Sequence, residues 1–246
     1  MTDRARSMVS TQWCLPLLVV FASGLIAGVG LAEEPDDRPP RQAPRFYLSG
    51  LVGGSWVNGD ATGTTTLGES ISGSSSSSSV FGGAALGTTL DLRHVDLRLE
   101  LEGTGGRSFD FTHPSTVNTY GTSADVWTFQ GNFWFEYPLR KLLPDTPIVR
   151  ELAPFAGGGV GLSGVSMKTS GGALTGSNDS INFAWQAGAG LSYQPLPWLA
   201  LDVRYQYADF GGPKVPLQGG GNGGSLQVDL GANEVVGVIR FTFAEL

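Results

Sequence analysis

Residues 95–103, VDLRLELEG, alternate without a break: Val95, Leu97, Leu99 and Leu101 are apolar, while Asp96, Arg98, Glu100 and Glu102 are charged. Successive side chains of an extended strand point to opposite faces, so this stretch predicts a β-strand with one apolar and one charged face. Comparable segments run over 46–57, 80–93, 95–109, 126–137, 155–167, 181–193, 198–210 and 226–243. Their lengths suit strands that cross a bilayer at a tilt, which takes about 9–11 residues. Long connections at 58–79, 110–125, 168–180 and 211–225, rich in Gly, Ser, Thr and Asn, alternate with a tight one at 93–95, a middling one at 138–154 and a short one at 194–197. Eight strands with long loops at one end and short turns at the other predict an all-β, antiparallel up-and-down transmembrane barrel. The serine run 74–79 falls in the first long connection and reads as a solvated, flexible tip.

Bulk decides which face is the inside. In 126–137, Trp127, Phe129, Phe133, Phe135 and Tyr137 share one face, against Thr128, Gln130, Asn132, Trp134 and Glu136. In 198–210, Leu199, Leu201, Val203, Tyr205 and Tyr207 oppose Ala200, Asp202, Arg204 and Gln206. An eight-stranded barrel has an interior just wide enough for its inward side chains, and the apolar face would overfill it. The apolar face therefore points outward, which only lipid tolerates. The inward charges are Arg98, Glu100, Glu102, Glu136, Asp202, Arg204 and Arg240, expected to pair across the lumen as a salt-bridge plug. Phe46, Tyr137, Tyr193, Trp198 and Phe243 fall at the short-turn ends; Trp56, Phe109, Trp127, Tyr207 and Phe210 fall at the long-loop ends. Two such rows are what the two membrane interfaces select.

The N-terminus sets the compartment. Arg4 and Arg6 precede an apolar run that closes on Gly30-Leu31-Ala32, the charged, apolar, small-residue order of a cleaved secretory signal over 1–32. Cleavage removes Cys14, the single cysteine, and with it any disulfide, thiol nucleophile or thiolate ligand. The stretch 33–44, charged and rich in proline, reads as a disordered lead-in to a barrel over 45–246. With a net charge of −7 and no basic patch, a nucleic-acid partner is not expected.

The pieces FYLSGLVGGSW (46–56), DLRLELEG (96–103), FQGNFWFEYPL (129–139), APFAGGGVGL (153–162), FAWQAGAGLSY (183–193), LDVRYQY (201–207) and VIRFTF (238–243) carry a resemblance through their order and spacing. Together they resemble the small OmpA-like outer-membrane barrels, in particular the opacity-type "porin family" surface proteins. The resemblance implies an eight-stranded barrel in the bacterial outer membrane, periplasmic termini and surface-exposed loops. Implied partners are outer-membrane lipid and the outer-membrane assembly machinery. Such barrels usually end on an aromatic residue, whereas here Ala244, Glu245 and Leu246 follow Phe243.

Two chemical alternatives stand beside a structural role. His113-Pro114-Ser115 has the two-residue His/Ser spacing of outer-membrane lipid A deacylases, and a Ser–His pair can activate a hydroxyl for ester attack. Pro114 favours a loop turn, however, and no Glu lies between Ser115 and Glu136 to complete the set. The lumen charges could instead line a narrow ion path, although eight strands leave little open space. His94 reads as a solvated turn residue, and two isolated histidines make no metal site. The expectation is a non-enzymatic barrel without cofactor, working structurally or through a surface ligand held by 58–79, 110–125, 168–180 and 211–225.

Overall fold

The computed structural model describes residues 45–245 except 67, 69, 93–94, 116–117, 142–148 and 220–221. The signal, the lead-in and His94 lie outside the described residues. The strands are β1 (Arg45–Thr65), β2 (Ser70–Asp91), β3 (Asp96–Pro114), β4 (Thr119–Glu136), β5 (Leu152–Gly171), β6 (Leu174–Leu196), β7 (Leu199–Asp209), β8 (Lys214–Gly219) and β9 (Asn222–Glu245). All neighbours pair antiparallel, and β1 pairs with β9 from Arg45↔Glu245 to Thr65↔Gly224, which closes the ring. Closure leaves no sheet edge along this junction, as a wall in lipid requires.

Nine segments make eight staves. β8 continues β7 on the same partner: β7 pairs with β9 up to Asp209↔Gly231, and β8 resumes at Lys214↔Gln227. Between them Phe210 N–H donates to the Leu230 carbonyl and Leu230 N–H to the Gly211 carbonyl. One extra residue is absorbed by a bulge at Gly211, whose φ of +84° suits glycine.

The staves are far longer than the alternating segments suggest. β1, β2, β6 and β9 have 21, 22, 23 and 24 residues, roughly twice what a tilted strand needs to cross a bilayer. This corrects the four long loops. Most of 58–79, 110–125, 168–180 and 211–225 is strand, and the hairpins turn only beyond Thr65, Pro114, Gly171 and Gly219.

The two faces exchange character halfway up. On β4, outward Trp127, Phe129, Phe133 and Phe135 give way to outward Ser123, Gly121 and Thr119, while inward Glu136, Asn132, Gln130 and Thr128 give way to Val126, Ala124 and Tyr120. β1 changes above Trp56, with Asn58, Asp60, Thr62 and Thr64 outward and Val57 and Ala61 inward. β9 changes near Asn233: Val235, Ile239 and Phe241 are exposed below, and Leu226, Val228 and Leu230 are buried above. The lower half is a membrane wall around a largely polar lumen, interrupted by a small apolar cluster of Leu51, Phe81, Val236 and Val238. The upper arms form a water-facing barrel around an apolar core of Val57, Ile71, Phe109, Phe111, Met167, Phe210 and their neighbours. Phe109 and Phe210 thus leave the upper aromatic row, where Trp56, Trp127 and Tyr207 remain exposed.

The serine run has a structural job. Gly105 and Gly106, the latter at φ +88°, form a bulge that shifts β3 by one residue against β4, from Thr104↔Thr128 to Arg107↔Val126. Above it the β2–β3 ladder stops at Gly82↔Gly105. The amides of Ser108, Asp110 and Thr112 instead donate to the hydroxyls of Ser79, Ser77 and Ser75, at 3.0, 3.1 and 3.3 Å. Every second amide needs an acceptor, so every second residue of β2 must carry a short hydroxyl. The 74–79 run is therefore a seam in the barrel wall and not a flexible tip. Ser77→Ala should cost about 1 kcal/mol of local opening, roughly a fivefold faster exchange of the Asp110 amide. Ser76→Ala, whose side chain faces water, should leave that amide unchanged in the same hydrogen-exchange measurement.

Candidate functional site

Strict alternation carries the seven charges into the lower lumen, where all are buried. Arg98 on β3 is the hub. Its Nη1 donates to Glu136 Oε2 and Asp202 Oδ2, both at 3.0 Å, and its Nε lies 3.8 Å from Glu100. Arg240 on β9 supports the same acids, at 3.0 Å from Asp202 and 3.4 Å from Glu136, and donates to Ser192 Oγ. Glu100 also accepts from the Tyr47 hydroxyl at 2.7 Å and from Trp134 Nε1 at 2.9 Å. Arg204 pairs with Glu102 at 2.7 Å and lies over the Trp134 ring. These charges come from β3, β4, β7 and β9, so the cluster ties both sides of the ring together.

An amide relay links this cluster to a second one at mid-height. Asn132 donates to Glu102, Gln186 to Asn132, and Gln206 to both Gln186 and Glu234. Glu234 then takes two bonds from Arg107, from Nε at 2.8 Å and Nη2 at 3.2 Å. The Arg107 guanidinium is stacked 3.7 Å from the Phe81 ring centroid, with Phe210 at 5.1 Å. It forks onto a carboxylate and stacks its flat face on an apolar ring, which suits a boundary between polar and apolar surroundings.

Sequence reasoning missed Arg107, Glu234, Tyr47 and the relay amides. Glu234 was within reach, because it is in phase with Arg240 on β9. Arg107 was not: the bulge at Gly105-Gly106 reverses parity, so an odd position turns inward.

The lumen is filled at both levels. At its short-turn end lies a small pocket of about 30 Å³, lined by Arg45, Asp96, Glu136, Arg140, Glu151 and Arg240 among others. Above Arg107 the apolar core takes over.

The structure separates the members of the His113-Pro114-Ser115 pattern. His113 faces the apolar core, fully buried, with its ring stacked on Phe111 at a centroid distance of 6.0 Å. Neither of its ring nitrogens has a hydrogen-bond partner among the described residues. The Ser115 hydroxyl is turned to the tip, where it donates to the Asn118 carbonyl and accepts from the Asn118 amide. A nucleophile needs its base within hydrogen-bond reach, and here the imidazole meets no hydroxyl.

Comparison with known proteins matches a family model, outer membrane protein beta-barrel domain, over residues 21–233. No curated protein matches the chain. Among solved structures the chain is similar to Neisserial surface protein A (NspA), at 14% identity over 80% of this chain and 97% of that chain, with a TM-score of 0.45. It is also similar to the outer membrane protein OprG from Pseudomonas aeruginosa, at 13% identity over 82% of this chain and 97% of that chain, TM-score 0.40. The outer membrane protease OmpT from Escherichia coli is similar at 10% identity over 87% of this chain and 99% of that chain, TM-score 0.41. The family match spans most of the chain and agrees with a closed antiparallel ring whose apolar wall faces outward. The chain belongs to the outer membrane protein β-barrel domain family and resides in the bacterial outer membrane.

Proposed function

We propose that this barrel is a non-enzymatic outer-membrane protein that conducts no solute and carries a rigid, hydrophilic turret above the membrane. Its role is structural or one of surface recognition. The observation that carries the reading is the doubly filled interior, charged and hydrogen-bonded in the membrane and apolar above it. A path for ions would have to break the Arg98 and Arg107 clusters and then cross the packed core. The buried His113, whose ring nitrogens meet no hydroxyl at hydrogen-bond distance among the described residues, speaks against a lipid A hydrolase.

Recognition on this reading falls to the exterior of 58–79, 110–125, 168–180 and 211–225. There the exposed residues include Asp60, Thr62, Ser72, Ser76, Asp110, Lys168, Asp179 and Ser225 beside the hairpin tips. A rigid scaffold presents such groups with little ordering cost on binding. Outer-membrane lipid would surround the lower wall, and the assembly machinery would insert it.

Planar bilayers containing the refolded protein test the reading. No discrete conductance steps are expected, and the mass of lipid A in cells overproducing the protein should not change. Steps that change on Glu100→Ala or Arg98→Ala would establish a pore instead, and a lipid A mass shift abolished by His113→Ala would establish a hydrolase.

A further inference from the structure

We propose that the upper β2–β3 seam is acid-responsive, with protonation of His113 parting the β1–β2 hairpin from the β3–β4 hairpin at the tip of the barrel. Three features of the structure meet at this place. His113 is an ionisable side chain set in an apolar core with no partner for either ring nitrogen. It lies on the upper arm of β3, where the wall is held to β2 by the hydroxyls of Ser75, Ser77 and Ser79 instead of a ladder. At the far end a single bridge, Ile71↔Ser115, joins the two hairpins.

The electrostatic surroundings make the ring responsive. Ile71 of β2, Tyr120 of β4, Met167 of β5, Leu174 of β6, Leu217 of β8 and Leu226 of β9 are buried facing the same core. Tyr120, directly opposite on β4, is the other titratable side chain of this core. Among the described residues no carboxylate faces His113 from within: the charged cluster on its own strand is Arg107 with Glu234, below the core. Asp60, Asp110, Asp125, Asp179 and Asp229 are on the solvent side of the arms. Burial without a partner lowers the His113 pKa below the ordinary histidine value, because the charged form is the one penalised.

The sign follows. A histidine whose folded pKa is depressed gives full stability above its unfolded value, near 6.5, and loses it as the pH falls toward the folded value. A proton taken from solvent adds a second N–H and a charge, and both must reach water. The shortest release is to open the serine seam, since three side-chain bonds and one bridge yield before the ladders β1–β2 and β3–β4, which run nearly to the tips.

Hydrogen exchange on the full mature chain folded in lipid nanodiscs, at pH 7.5 and 5.0 and normalised for intrinsic rates, tests this. The amides of Ser108, Asp110 and Thr112 should become more exchangeable at pH 5.0 by up to about thirty-fold, the protonated-to-neutral ratio of an ordinary imidazole there. His113→Phe should abolish the pH dependence and keep the protection seen at pH 7.5. His113→Leu serves the same purpose if the phenylalanine variant does not fold. Equal protection of the wild-type seam at both pH values would overturn the proposal, as would a pH dependence that survives in the folded variant.

Discussion

An Arg98→Met barrel is expected to lose about 3–5 kcal/mol of folding stability, the cost of leaving buried charge uncompensated. Among the described residues Arg98 is the one cation that touches Glu136, Asp202 and Glu100 together. Without it Arg240 can still reach Asp202 and Glu136, but Glu100 keeps only two neutral donors, Tyr47 and Trp134. Methionine roughly matches the aliphatic stem, so the loss reports charge more than volume. The readout is the urea midpoint of the lipid-refolded protein, followed by tryptophan fluorescence. Adding Glu100→Gln to Arg98→Met should recover much of the loss, since it removes the carboxylate left without a cation while Arg240 keeps Asp202 and Glu136. An unchanged midpoint for Arg98→Met would mean that the cluster is hydrated and screened.

Phe111→Ala should cost a similar 3–5 kcal/mol through the cavity it leaves in the upper core. Its ring is buried between Phe109 and His113 along β3 and packs on Gly59 of β1, where a Cβ would already be crowded. Phe129→Ala removes a ring of the same size from the lipid-facing wall, where fluid chains close over the gap, and should cost less. The loss in Phe111→Ala should be concentrated in the upper arms. Limited proteolysis should then cut at the tips while the membrane-spanning half stays protected. Equal losses for the two variants would show that the arms are not a packed core.

The lower half of every stave was legible because its alternation is strong. Lipid demands large apolar groups on one face, and the lumen demands small or paired polar groups on the other, as VDLRLELEG displays. The upper arms obscured themselves. Their outward residues, such as Ser72, Ser74, Thr62 and Asp60, are of types common in loops, and their inward positions include Gly59, Gly63 and Gly73, so contrast between the faces falls. Composition there reads as turn although the backbone is extended. The bulges at Gly105-Gly106 and Gly211 hid more, because each reverses parity. Phe109 turned inward for that reason, and Arg107 became a lumen residue, whereas Phe210, ahead of Gly211, keeps the even, inward phase of β7. The serine ladder could not be foreseen without knowing that the β2–β3 backbone ladder stops at Gly82↔Gly105.

The exchange of faces near Trp56, Trp127 and Asn233 also fixes how deep the protein floats. A downward shift by one residue pair would push Asn58, Asp125 and Asp229 toward hydrocarbon, while an upward shift would lift Trp127, Phe129 and Val235 into water. Both displacements are penalised on several staves at once, so the barrel has a single vertical setting in the bilayer. The turret above it therefore stands at a constant height over the lipid surface, and whatever meets its tips meets them at a fixed distance from the cell.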